Sequence, residues 1–257
     1  AEACVLRGIT YIGPSARQIQ AMGDKTFARL TMQRAGIPVV TGTDGNVTGV
    51  EEAREFAEAA GYPVMLKATT GGGGRGIRRC EDERALRENF DRVLSEARSA
   101  FGRAEVFVEK AIDRARHVEF QVLRDAHGRT VHLFERDCSI QRRHQKLIEV
   151  APSPALDEGL RARMGRAAVL AAEAADYLNA GTIEFLLAPD GRFYFMEMNT
   201  RLQVEHTITE SITGRDIVQE QVRIAAGLPL SFTQEEVTRR GVAMEFRINA
   251  EDPKEGF

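Results

Sequence analysis

The stretch Gly181-Thr182-Ile183-Glu184-Phe185-Leu186-Leu187-Ala188-Pro189-Asp190-Gly191-Arg192-Phe193-Tyr194-Phe195-Met196-Glu197-Met198-Asn199 decides how the rest of the chain is read. It reads as two strands joined by the tight turn Ala188-Pro189-Asp190-Gly191. With Leu187 paired to Arg192, Glu184 lies opposite Phe195. Thr182, Glu184, Phe195, Glu197 and Asn199 then share one face, because strand side chains alternate with period two. Glu184 and Glu197 become diagonal neighbours, about 7–8 Å apart or somewhat less at Cβ. A bulge in the turn would break this register.

Two carboxylates among Phe185, Leu186, Phe193 and Phe195 need a reason. Like charges in a partly apolar site repel, and one takes a proton unless a cation sits between them. Mg²⁺ suits such a site, with hard oxygen ligands from the protein and the remainder from water and phosphate. Asn199 adds a neutral oxygen on the same face. The alternative is an exposed face with two solvated glutamates. Arg201, Gln203, Glu205 and His206 follow at once, where a loop is expected, and functional groups concentrate in loops held by rigid scaffolds. If that stretch is extended, Arg201, Gln203 and Glu205 alternate and point into one pocket.

Working outward, the 257 residues suffice for one large domain or two small ones. A chain 43% hydrophobic and 28% charged is an ordinary globular composition. The net charge of -3 offers no global basic field for nucleic acid. No apolar run is long enough to span a bilayer, and no secretory signal opens the chain. Cys4, Cys80 and Cys138 match neither a disulfide framework nor a metal site. Free thiols favour a reducing compartment, the cytoplasm or an organelle matrix.

Upstream, Ala1 to Arg7 reads as the tail of a helix and Ile9 to Ile12 as a short buried strand, as expected of a chain cut from a longer one or of a frayed natural terminus. Ser15 and Asp24 are helix N-caps. A helix from about Lys25 to Ala35 carries Lys25 in its first turn, where the helix dipole disfavours a cation; Lys25 therefore reads either as solvated or as serving an anion. After a helix over Glu51 to Ala60 and a strand over Tyr62 to Ala68 comes Thr69-Thr70-Gly71-Gly72-Gly73-Gly74-Arg75-Gly76. Gly71, Gly73 and Gly76 satisfy G-x-G-x-x-G in letter only. Ile77 to Cys80 is extended, whereas that fingerprint needs a helix there to aim at a pyrophosphate. No Gly-Lys-Ser/Thr closes a Walker A loop. What remains is a glycine loop between two strands with Lys67 at its base, able to offer backbone N–H groups to phosphate. It is expected to be mobile without nucleotide and to order when nucleotide binds; a plain hairpin turn is the alternative.

Downstream of the loop come a helix over Asp82 to Ala100 and a strand over Glu105 to Lys110. A strand over His117 to Arg124 puts Val118, Phe120 and Val122 on one face and His117, Glu119 and Gln121 on the other. Another strand runs from Arg129 to Glu135. The basic run Arg136 to Lys146 lacks helical periodicity and reads as an anion site or a solvated face. Asp157 to Asn179 is an alanine-rich helix stopped by Gly181. The last elements are a helix over Asp216 to Ala226 and a strand over Gly241 to Ala250, which turns Glu245, Arg247 and Asn249 to one side.

Together these blocks resemble the ATP-grasp region of biotin carboxylase, the ATP-dependent component of biotin-dependent carboxylases. The resemblance covers nearly the whole chain. It runs through Tyr11-Ile12-Gly13-Pro14, Lys67 with the glycine loop, and Arg116-His117-Val118-Glu119. It continues through Glu135 to Lys146, Glu197 to His206, and Arg247-Ile248-Asn249-Ala250-Glu251-Asp252-Pro253. It implies an α+β ATP-grasp fold, two subdomains enclosing the nucleotide, with residues 1–13 as the end of a preceding Rossmann-like domain. Residues 14–257 would be the ATP-grasp domain, its glycine-loop lid subdomain spanning roughly 40–110. The activity implied is phosphorylation of bicarbonate by ATP to carboxyphosphate, followed by carboxylation of biotin on a carrier protein.

Carried over by the resemblance, Lys25, Lys67, Gly73 and Gly74 bind the phosphates. Glu109, Lys110, Ile112, His117, Gln141 and His144 hold adenine and ribose. Glu184, Glu197 and Asn199 bind Mg²⁺ or Mn²⁺. Lys146, Arg201, Gln203 and the Val204 backbone hold bicarbonate, and Glu205 takes its proton. Arg247 stabilises the biotin enolate. The partners implied are a biotin carboxyl carrier protein or domain, a carboxyltransferase, and a second copy in a homodimer, with neither nucleic acid nor membrane. Thr207 and Ala115 stand where the family usually has proline. The nearest alternative is the large chain of carbamoyl-phosphate synthetase, which shares the metal carboxylates but not the Gln203 to His206 and Arg247 blocks. A catalytically silent nucleotide-binding module is the alternative outside enzymes.

Overall fold

The computed structural model describes residues 1–69, 76–101, 105–142, 145–252 and 254. Of the residues singled out above, Thr70 to Arg75, with Gly73 and Gly74 among them, lie outside the described residues, as do Arg143, His144 and Pro253.

The chain begins with helices α1 (Glu2–Leu6), α2 (Ala16–Gly23) and α3 (Lys25–Arg34). Ser15 caps α2 through the Gln18 N–H, and Asp24 caps α3 through the Phe27 N–H, as their side-chain oxygens predict. The strand expected over Ile9 to Ile12 does not form. Both isoleucines are about half exposed, and among the described residues no strand pairs with that backbone; the Ile9 N–H turns back to the Cys4 carbonyl at 2.9 Å.

Helix α4 (Val50–Ala60), strands β1 (Val64–Ala68) and β2 (Ile77–Cys80), helix α5 (Glu83–Phe101) and strand β3 (Val106–Lys110) form the smaller unit. Its antiparallel sheet has the order β2-β1-β3. Val64, Leu66, Val106 and Val108 pack against Ala53 and Ala57 of α4 and Leu86, Phe90 and Val93 of α5. A strand follows the glycine loop and the helix begins only at Glu83, so the dinucleotide fingerprint is excluded on geometry.

The larger sheet is antiparallel, ordered β8-β7-β4-β5-β6-β9. It comprises β4 (Arg116–Arg124), β5 (Thr130–Arg142), β6 (Gln145–Ala151), β7 (Asn179–Leu187), β8 (Phe193–Asn199) and β9 (Ala243–Phe246). Helix α6 (Glu158–Ala174) covers one face with α2 and α3, over Val118, Phe120, Val122, Ile183, Phe185 and Phe195. Helices α7 (His206–Thr213) and α8 (Ile217–Ala225) lie on the other, α8 over Leu123, Val131, Leu133 and Ala180. The sheet face that carries the site thus looks toward α7.

Three sequence expectations give way here. The strand expected to end at Glu135 does not stop there: β5 continues through the basic run to Arg142, with bulges, and β6 resumes at Gln145. Helix α6 stops at Ala174, and Asp176 (φ 46) and Asn179 (φ 77) turn the chain so that Gly181 lies inside β7. The hairpin pairs Leu187 with Phe193, not Arg192, because the turn holds three residues and Gly191 takes φ 80. A bulge at Met196 then shifts the ladder again, so Glu184 faces Glu197 directly and Thr182 faces Asn199. Phe195 goes to the opposite face, against Phe185 in the core.

Candidate active site

The site grows from the polar face of β4. Apolar Val118, Phe120 and Val122 turn to α6, which sends His117, Glu119 and Gln121 the other way. Arg136 of β5 lies beneath them, wholly buried. Each of its N–H groups has an acceptor. Nε donates to Glu119 at 2.8 Å, Nη1 to Gln121 at 3.0 Å and Thr209 at 2.9 Å, and Nη2 to Thr182 at 3.2 Å and Gln203 at 2.7 Å. One guanidinium therefore ties β4, β5, β7, the Gln203 loop and α7 together. A planar fork of fixed donors suits that task as a lysine would not.

Lys146 of β6 is the second cation. Its Nζ donates to Glu119 at 2.5 Å, Glu184 at 2.9 Å and Glu205 at 2.8 Å. Burial works to lower its pKa, but Glu119 and Glu184 overcome this and raise it above the ordinary lysine value. Burial likewise penalises the Glu119 charge, and Arg136 and Lys146 hold it well below the usual carboxylate range. Glu184, opposed by burial, is pulled down by His117 and Lys146. His117 Nε2 lies 2.9 Å from Glu184, and Gln141 Nε2 meets His117 Nδ1 at 2.8 Å. Burial lowers His117, yet the Glu184 charge leaves it above its ordinary value.

Glu205 joins this cluster to Arg247. Its Oε1 takes Lys146, and its Oε2 accepts from Arg247 Nη2 at 2.9 Å. Glu205 stands at the start of α7 with φ -71 and ψ 5, and Gln203 reaches Glu184 at 3.2 Å, so both are inside, but through a turn rather than the extended alternation expected. Arg201 is not: it is exposed, and its Nη1 donates to the Leu202 carbonyl at 3.2 Å. Val204 is also exposed.

The other predicted residues line the rim. Glu197 is raised by burial and by Glu184 opposite. Among the described residues the only cation within ion-pair reach of it is Lys25, 3.8 Å away. Asn199 donates its amide to Glu184 at 2.7 Å, and its own amide oxygen accepts nothing among the described residues. An under-compensated carboxylate facing Glu184, beside a free amide oxygen, fits a hard divalent cation. Burial pushes Lys25 down, leaving it suited to a further anion. Lys67 pairs with the buried Glu109. The Lys110 ammonium turns away to the Gly61 and Tyr62 carbonyls, at 2.8 and 3.0 Å. Lys110 and Ile112 line a cleft of about 360 Å³ with Tyr194. Sequence reasoning gave no role to Arg136, Gln121, Thr182, Thr209 or Glu149. The period-two pattern of β4 was the one signal available for Gln121.

Residues 24–233 match the family model "Carbamoyl-phosphate synthase L chain, ATP binding domain". The chain belongs to this family. Within the ATP-binding domains so grouped, it is 55% identical over all its 257 residues to "Biotin carboxylase" of a Nostoc species. It is 53% identical to "Biotin carboxylase 2" of Bacillus subtilis. It covers 58% of the length of each. It superposes with a TM-score of 0.96 on the biotin carboxylase domain dimer of Hydrogenobacter thermophilus 2-oxoglutarate carboxylase. Identity there is 52%, with 100% of this chain and 57% of that one covered, and that structure contains MgADP, ADP and bicarbonate. The Campylobacter jejuni biotin carboxylase–β,γ-ATP complex also gives 0.96, at 47% identity, covering 98% of this chain and 56% of that one. The fold is α+β and of the ATP-grasp type, as the resemblance implied.

Proposed function

We propose that this chain is the ATP-grasp core of a biotin carboxylase: it uses ATP to activate bicarbonate as carboxyphosphate and carboxylates biotin on a carrier. The observation that supports it best is Glu205, a buried carboxylate with Lys146 on one oxygen and Arg247 on the other. A bicarbonate ion entering beside Lys146 meets a cation for its charge and a base for its proton. Deprotonated, it attacks the γ-phosphate of ATP and releases ADP. Arg247, exposed on its outer side, is placed to stabilise the enolate oxygen of biotin as N1 takes up the carboxyl group. Gln203, the Val204 backbone and Arg201 complete the bicarbonate site, Arg201 by swinging in from the surface.

Lys25, Lys67 and the Gly73-Gly74 backbone bind phosphates. Glu109, Lys110, Ile112, His117, Gln141 and His144 serve adenine and ribose, Lys110 through its backbone. Glu184, Glu197 and Asn199 hold Mg²⁺ or Mn²⁺, which when bound neutralises the phosphate charge that develops during transfer. Residues 1–13 belong to a preceding Rossmann-like domain and roughly 40–110 to a lid subdomain. The remaining partners are a biotin carboxyl carrier, a carboxyltransferase and, for the whole protein, a second copy. Among the described residues no helix is long and apolar enough to cross a membrane. A cytoplasmic or organelle-matrix location agrees with three free cysteines, two of them buried.

Bicarbonate-dependent ATP hydrolysis, followed with and without free biotin, tests this reading on the chain and on a form extended to its relatives' length. Stimulation by bicarbonate and formation of carboxybiotin are expected. Ammonia-dependent turnover indifferent to biotin would instead favour a carbamoyl-phosphate synthetase.

A further inference from the structure

Arg247 is held by two carboxylates of unequal standing. Its Nη2 donates to Glu205 at 2.9 Å, and its Nε lies 2.8 Å from Glu149 Oε1. Glu205 has a second cation, Lys146, on its other oxygen. Glu149 has none: among the described residues Arg247 is the one cation within ion-pair reach of it. Glu149 is completely buried, and neither of its oxygens has a hydrogen-bond partner among the described residues. The Nε of Arg247 is near enough for charge attraction but off the line of a hydrogen bond.

The surroundings deepen this dependence. Glu149 on β6 stands directly opposite Glu245 on β9, so two acids face each other across the ladder. Like charges placed opposite destabilise a strand pair. Glu245 is steadied by the hydroxyl of Thr207, which donates to its Oε2 at 3.1 Å. Burial raises the Glu149 carboxyl, Arg247 pulls it back, and Glu205 and Glu245 push it up again. Withdrawing the sole cation from a buried carboxylate leaves an uncompensated charge; withdrawing one of two does not. Arg247 can therefore leave Glu205 far more easily than Glu149.

We propose that Glu149 is a positioning residue that anchors Arg247 by Nε while the outer nitrogen exchanges Glu205 for substrate. The inference rests on the reading that Arg247 serves the biotin step. When Nη2 leaves Glu205, the guanidinium can turn until Nε–H aligns with Glu149, so part of the lost bond is regained. Glu205 meanwhile stays paired with Lys146, ready to act as base. The buried acid sets where the arginine pivots.

The anchor is testable without turnover. The Nε–H signal of Arg247, identified by its loss in Arg247→Lys, reports the pivot by hydrogen exchange in the full chain. Nε makes no hydrogen bond among the described residues but is shielded from water, so Glu149→Gln, which frees the guanidinium to swing outward, is expected to speed that exchange about tenfold or more, and Glu149→Asp to restore it. Glu205→Gln is expected to leave it unchanged or slow it. Faster exchange in Glu205→Gln, or none in a folded Glu149→Gln, overturns the anchor. In turnover, Glu149→Gln should lower carboxylation of free biotin about tenfold, change bicarbonate-dependent ATP cleavage less than about threefold, and add nothing in an Arg247→Ala background. An equal loss in that background means a general structural role and overturns the proposal. An unmodified chain whose ATP cleavage ignores bicarbonate would remove the functional reading and leave the exchange result standing.

Discussion

The floor of the site and its rim treat charge in opposite ways. On the floor, Arg136 and Lys146 meet Glu119, Glu184 and Glu205 in a mesh where each donor has an acceptor. At the rim, Lys25 and Glu197 approach only to 3.8 Å, and burial disfavours the charge on both. Buried, paired charge fixes geometry, whereas buried, poorly paired charge waits for a ligand to complete it. The floor is finished by folding; the rim is where the proposed function places nucleotide and metal.

The sharpest test strikes the floor. Arg136→Met leaves Glu119 with one cation fewer and strands several polar partners. A loss of about 3–5 kcal/mol is expected, lowering the thermal midpoint by roughly 10 °C or more. A midpoint within a few degrees would show that the mesh is no scaffold. Next comes Glu205→Gln, expected to reduce bicarbonate-dependent ATP cleavage about 10²-fold or more. Arg247→Ala should lose carboxybiotin by a larger factor than it loses ATP cleavage, since enolate stabilisation follows phosphoryl transfer. Equal losses in both assays for both variants would undo that division.

Glu197→Gln separates the two regions. It should raise the Mg²⁺ concentration needed for half-maximal turnover severalfold, yet raise the thermal midpoint of the metal-free protein. The sign follows from the raised folded-state pKa of Glu197: its ionised form opposes folding above that pKa, and the penalty fades as pH falls toward 4.5. Unchanged Mg²⁺ dependence would detach the hairpin from the metal. The smallest effect is expected for Lys25→Met, a severalfold rise in KM for MgATP with kcat and midpoint little altered. A midpoint that drops would place Lys25 with the floor.

The sequence showed the hairpin, the capped helices and the polar face of β4, because each has a local cause: alternation, an oxygen at the N-cap, a glycine at a turn. It hid Arg136 in a basic run that a solvated face would equally explain; only the β4 and β7 partners show its burial. It hid Glu149 among Leu147, Ile148 and Val150, in a strand not recognised at all. Lys146, Glu205 and Arg247 converge from β6, the start of α7 and the end of β9, so their meeting belongs to the fold. The Met196 bulge was invisible because no side-chain pattern requires it, and parity survived because the two one-residue shifts add to two, the period of a strand.

That bulge gives the hairpin slack. Phe185 pairs with Phe195 and Glu184 with Glu197, leaving Met196 without a place in the ladder. Removing Met196 would therefore not misalign the carboxylates: it would straighten β8 and leave Glu197 across from Glu184. Losing Glu197 itself would draw Met196 into that place and turn the site face apolar. The hairpin keeps count of pairs rather than of residues, so it has one spare unit of length next to the carboxylate proposed to hold the metal.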